Sequence, residues 1–168
     1  MTKRLTKIGV NPDFQELSSF VHELPTVFET GGKVIYKGRN ELKEFDVEGK
    51  KLIVKSYQLP HLLNRIIYNF FRASKAKRSY SYALMLRKLG IGSPAPVGYY
   101  STGSWLLFGR SYFVCLKSDC PYTYRDFEKT VFPNQEQILR AIARTTAMLH
   151  ENGLLHKDYS CLLYTSPS

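Results

Sequence analysis

The feature that most narrows the fold is a change of period at Pro60. Before it, Lys33-Val34-Ile35-Tyr36-Lys37, Leu42 to Val47 and Lys51-Leu52-Ile53-Val54-Lys55-Ser56-Tyr57 are strand-length runs, separated by Gly38-Arg39-Asn40 and Glu48-Gly49-Lys50. Such short turns predict an antiparallel meander. After Pro60, Leu62, Ile66 and Phe70 recur at a spacing of four, as do Leu63, Ile67 and Phe71, so two adjacent rows form one apolar helix face. A second helix is predicted from about Ser74 to Leu89, closed by Gly90. Pro94 and Pro96 mark a loop, followed by strands over Val97 to Ser101 and Ser111 to Leu116, with turns at Gly103-Ser104 and Gly109-Arg110. A last helix is expected after Asn134, which with Gln137 fits a capping box, and Ile138, Ile142 and Leu149 carry its apolar face to Gly153. Strands first and mostly helix afterwards predict a two-lobed α+β protein, with residues 1–30 as a polar lead-in.

Charge narrows the partners. The formal net charge is +10, and no Asp or Glu occurs between Lys50 and Lys117, a window that holds Lys55, Lys75, Lys77 and Arg78. Such a field favours anions: nucleotide phosphates, phosphorylated sugars, acidic headgroups or nucleic acid. Nucleic acid ranks last, because no RNA-recognition or helix-turn-helix signature accompanies the basic window. The three cysteines, Cys115, Cys120 and Cys161, lack CxxC spacing, and His22, His61 and His150 lack metal-ligand spacing, so reduced thiols and no metal-binding residues are expected. The N-terminus has no apolar secretion signal and no run of about eighteen uncharged apolar residues follows, which predicts a cytoplasmic protein. The Leu62 to Phe71 face, with Lys75, Lys77 and Arg78 beside it, would suit peripheral contact with the anionic surface of the inner membrane.

Two segments carry chemistry. Leu149-His150-Glu151-Asn152-Gly153-Leu154-Leu155-His156-Lys157-Asp158-Tyr159-Ser160, a helix end, a glycine turn and an HxD triplet, resembles the catalytic loop of protein-kinase-like phosphotransferases. Lys55, in Leu52-Ile53-Val54-Lys55, occupies the place of the strand lysine that contacts nucleotide phosphates in that fold. Together with Ile35-Tyr36-Lys37-Gly38-Arg39-Asn40, Asn64-Arg65-Ile66-Ile67-Tyr68, Phe70-Phe71-Arg72 and Gly90-Ile91-Gly92-Ser93-Pro94, these segments are similar to the lipopolysaccharide core kinase (Kdo/WaaP-type) family, over about three quarters of the chain.

The resemblance implies a protein-kinase-like fold, a small lobe and hinge over residues 31–118, and the start of a helical large lobe over 119–160. It implies transfer of the ATP γ-phosphate to a sugar hydroxyl of the lipopolysaccharide inner core, with Mg²⁺ as cofactor. Asp158 would act on the acceptor proton with His156 supporting the loop, and Lys55 and Gly38 would face the nucleotide. Tyr122, Tyr124, Arg125 and Asp126 follow the hinge without an assigned role.

The sequence departs from the family pattern at three places. No acidic residue stands where a helix glutamate would pair with Lys55; Ser81 lies near that position. The phosphate loop has the single glycine Gly38. After Ser160 the family's Pro-Gly-Asn gives way to Cys161-Leu162-Leu163, so residues 161–168 read as a non-native tail, both magnesium ligands are absent, and this chain is expected to be an inactive fragment. The alternative reading is a pseudokinase that binds nucleotide or anionic lipid without turnover.

Overall fold

In the computed structural model the described residues are 5–57, 73–103, 108–119, 129 and 132–154. The Leu62 to Phe71 helix, the HxD loop with His156 and Asp158, and the 161–168 tail therefore lie outside the described residues.

The short turns reverse the backbone as their residue types require. Strands β2 (Lys33–Lys37) and β3 (Asn40–Val47) meet at Gly38-Arg39, where the Gly38 N–H donates to the Asn40 carbonyl at 3.1 Å. Strand β4 (Lys50–Tyr57) follows a two-residue turn in which Glu48 (φ 52) and Gly49 (φ 69) are both left-handed, the geometry that matches the twist of paired strands. Glycine carries the second position without a Cβ penalty. Both hairpins are antiparallel, so the expected meander is present.

The other strands are longer than the sequence reading allowed. Strand β5 runs Pro96–Gly103 and strand β6 Phe108–Leu116. Pro96 opens a strand instead of marking a loop, a position that tolerates its missing N–H. Gly109-Arg110 lies inside β6 and is not a turn; a Cβ at Gly109 would stand 2.6 Å from the Thr102 carbonyl oxygen, so glycine there permits a close strand approach.

The polar lead-in also proves to be structured. Strand β1 (Leu5–Val10) pairs antiparallel with β5, and a 3-10 turn (Pro12–Leu17) leads into α1 (Ser18–His22) and α2 (Leu24–Thr30). Asn11 fixes this entry: its side chain accepts from the Asp13 N–H at 3.2 Å and donates to the Pro96 carbonyl at 2.8 Å. The sheet has six strands in the order β1-β5-β6-β4-β3-β2.

Because side chains alternate along a strand, the sheet has two distinct faces. Leu52 and Val54 of β4, Val97 of β5 and Tyr112 and Val114 of β6 are buried with Leu17, Val21, Leu24 and Phe28 from the N-terminal helical segments. Fully burying one such side chain contributes about 1.5–3 kcal/mol, so this layer holds the sheet together. The opposite face carries Ile53, Lys55 and Tyr57 and meets α3 (Lys75–Lys88), capped by Ser74, whose hydroxyl accepts from the Lys77 N–H at 3.2 Å. Gly90 follows it with φ 71, as expected for a helix end.

The described residues fall into two compact units, one within Met1–Arg87 and Pro94–Lys117, the other within Lys88–Ser93 and Ser118–Ser168. The second unit contains α4 (Gln135–Glu151). Asn134 stands at its N-cap position, but at φ −107 and ψ 30 its side chain makes no cap hydrogen bond, so the predicted capping box does not form. The C-terminal end does form as expected: Gly153 donates to His150 O at 2.9 Å and Leu154 to Leu149 O at 2.8 Å, a Schellman pair. Ile138 and Ile142 are half-buried and Leu149 buried, while Leu139 and Met148 remain exposed.

Candidate functional site

The site is built on the face of β4 turned away from the N-terminal helices. Lys55 pairs with Leu42 on one side and Phe113 on the other, which fixes its backbone in the middle of the sheet. Its Nζ lies 5.4 Å from the centroid of the Tyr57 ring, a cation–π distance. Tyr57 in turn reaches α3: its hydroxyl and that of Ser79 are 2.6 Å apart, and either can donate. Burial raises the Tyr57 pKa, so the phenol stays protonated and this bond persists at neutral pH.

That bond brings one end of α3 to the lysine. Arg78 precedes Ser79, and its Nε is buried with no hydrogen-bond partner. Lys75, one turn earlier, has its pKa lowered first by desolvation and then by the positive charges of Arg39, Arg78 and Lys55. Four cations from β4, α3 and the β2–β3 turn therefore act on one small region. Among the described residues none of the ion pairs involves any of them: those pairs are Lys50–Glu16, Arg110–Glu29, Lys117–Glu44 and Arg140–Glu136. Glu44 pairs in register with Ile53, two residues from Lys55, but its carboxylate is held by Lys117 at 2.9 Å, which keeps its pKa below the usual range.

The described thiol, on the strand beside β4, is inert. Cys115 is a free cysteine whose pKa is pushed up to about 12 by burial, against a smaller opposing effect of Lys55.

Several expectations change at this level. Ser81 is exposed, so the helix residues that act on Lys55's surroundings are Lys75 and Arg78, not the serine. These two were read from sequence as part of a basic run with Lys77; the structure separates them, leaving Lys77 exposed. Gly38 lies in the β2–β3 turn, and a Cβ there would meet the Tyr36 hydroxyl at 2.5 Å, so the Tyr36 ring leans over the turn. Arg39, named in the sequence only as part of the Gly38-Arg39-Asn40 turn and the Ile35-to-Asn40 segment, has no site role there; its place in a turn beside a strand lysine is the available signal. Among the described residues no group of three His, Cys, Asp or Glu side chains could hold a metal ion, so no described residue is assigned to Mg²⁺. Likewise, among the described residues no helix is long and apolar enough to cross a membrane.

Similarity to solved structures bears on the fold. The chain matches a structure described as WaaP in complex with acyl carrier protein, with a TM-score of 0.55 and 17% sequence identity over 86% of this chain. The fold is WaaP-like. The match spans 56% of the length of the WaaP chain. No family model matches the sequence, and no curated protein does. The WaaP-like fold agrees with the kinase-like α+β architecture expected from the sequence.

Proposed function

We propose that the protein is an ATP-dependent phosphotransferase acting on a sugar hydroxyl of the lipopolysaccharide inner core, and that the Lys55 face of the sheet receives the nucleotide phosphates. The observation that carries this reading is a strand lysine grouped with cations that no described carboxylate pairs, on the face of a WaaP-like sheet that the N-terminal helices leave uncovered. Such a site stabilises phosphate by charge and by N–H donors, and phosphoryl transfer depends on positioning and charge stabilisation more than on covalent chemistry. Asp158 is proposed as the group that orients the acceptor hydroxyl, with His156 supporting its loop, and Mg²⁺ as the metal that accompanies ATP. Acyl carrier protein, the partner in the WaaP structure, is carried over as a proposed partner, checked by co-purification with the full-length protein.

The test is transfer of labelled γ-phosphate from ATP to a lipopolysaccharide core acceptor by the full-length protein. Asp158→Asn is expected to keep ATP binding and to cut turnover by about a hundredfold or more. Lys55→Ala is expected to weaken ATP binding. Near-normal turnover with Asp158→Asn, or unchanged ATP affinity with Lys55→Ala, would overturn the assignment. A second reading, a pseudokinase, is favoured by one observation: no described carboxylate pairs with Lys55, and the charges acting with it on Lys75 are those of Arg39 and Arg78. ATP binding without transfer by the full-length protein would select it.

A further inference from the structure

The charge balance of the site differs from that of a lysine–carboxylate pair. Such a pair sums to zero, and a nucleotide's phosphate chain then needs metal ions to offset most of its charge. Here Arg39 from the β2–β3 turn, Lys55 from β4, and Lys75 and Arg78 from the first turns of α3 contribute four positive charges, and no described carboxylate is paired with them. A triphosphate at neutral pH carries about four negative charges, so the cluster can offset it without metal.

We propose that Arg39, Lys55, Lys75 and Arg78 form a site that holds the polyphosphate chain of a nucleotide even before a divalent cation joins it, with Arg78 as its fixed donor. Three features beyond charge support it. Arg78 Nε is buried and unpartnered, which costs free energy in the empty state and is relieved by an acceptor oxygen. Tyr57 and Ser79 pin α3 to β4, so the spacing of the cations is set before a ligand arrives. Lys75, already desolvated among like charges, is relieved of part of that penalty when an anion enters.

Assignment of the anion to a nucleotide rests on the function proposed above; the anion site itself does not. The experiment separates the two. Sodium tripolyphosphate is titrated calorimetrically into the 168-residue chain in EDTA at low salt. Binding is expected, weakened about tenfold by Arg78→Gln and by Lys75→Met, and less by Arg78→Lys, which keeps the charge but not the Nε donor. Arg39→Gln, at an exposed turn that does not support the fold, should also weaken binding and serves where the Arg78 variants fail to fold. No binding in EDTA, or binding indifferent to Arg39→Gln and Arg78→Gln, overturns the site. Competition by metal-free ATP supports the nucleotide as the source. Competition by glucose 1,6-bisphosphate and not by ATP overturns that source and assigns the cations to a phosphorylated sugar. Failure of phosphate transfer in the full-length protein leaves the tripolyphosphate result standing, so the two readings fail separately.

Discussion

The two faces of the sheet solve opposite problems with the same strands. On one, Leu52, Val54, Tyr112 and Val114 meet Leu17, Val21, Leu24 and Phe28, and the cation that approaches them is fully engaged. Lys43 Nζ donates to the Phe28 carbonyl and, at 3.2 Å, to the Gly31 carbonyl at the end of α2, and lies 4.7 Å from the Phe28 ring centroid. On the other face, Arg78 Nε has no partner and Lys75 sits among like charges. The difference locates stability on the face closed by the N-terminal helices and leaves the other poised for an anion. A folded chain tolerates such cost only at a few places, and these concentrate where a ligand repays it.

The largest expected effect tests the first half of that statement. Leu24 is fully buried in the layer that the N-terminal helices add, so Leu24→Ala should cost about 2–5 kcal/mol in urea denaturation. A cost under about 1 kcal/mol would mean that the sheet stands without that layer and that the contrast between the faces is misdrawn.

The same residues show what could be read from the sequence. The spacing Leu17, Val21, Leu24, Phe28 is helical, yet Pro25 and the polar residues between them disguise it, and a lead-in was expected in its place. Pro25 in fact sits in the first turn of α2, where its missing N–H costs nothing. The β2–β3–β4 meander was legible because short turns admit few conformations, and Lys55 because the strand that carries it is strongly β-branched. The cluster around Lys55 was not legible: Arg39, Lys55 and the Lys75/Arg78 pair lie far apart in sequence, and only the Tyr57–Ser79 bond and the strand register bring the three segments onto one region. The 3.6-residue period of α3 located a helix, but which of its polar residues turns towards the sheet depends on packing that the period does not fix.

A paired substitution sharpens the comparison at intermediate size. Lys43→Met removes two hydrogen bonds to carbonyls at a helix end and a cation–π contact, and should cost about 1–2 kcal/mol in the same denaturation measurement. Arg78→Met removes a buried donor that has no partner, so without polyphosphate it should leave stability unchanged or raise it by up to about 1 kcal/mol. Equal losses from both would erase the asymmetry between the faces.

The smallest effect is the most specific, because its sign depends on pH. In the folded chain the Lys75 pKa lies below its ordinary 10.5, chiefly through desolvation and then through Arg39, Arg78 and Lys55. A folded-state pKa below the unfolded one means that the unfolded chain holds the proton more tightly, so stability rises as pH climbs from the folded value towards 10.5. At neutral pH both states are protonated and the folded chain bears the full penalty of a charge among charges. Lys75→Met removes that penalty, and because the side chain is only half-buried and screened by solvent the gain should stay within about 0.5 kcal/mol at pH 7. The wild-type protein loses the same penalty by deprotonating, so the difference between the two proteins should shrink as pH approaches 10.5. Saturating tripolyphosphate should reverse the order at pH 7, since the anion stabilises the protonated lysine that the variant lacks. Melting curves of the two proteins across that pH range, with and without tripolyphosphate, give all three signs. A variant that is less stable at pH 7 without the anion would mean that Lys75 already has a stabilising partner, and that this face of the sheet is as well satisfied as the other.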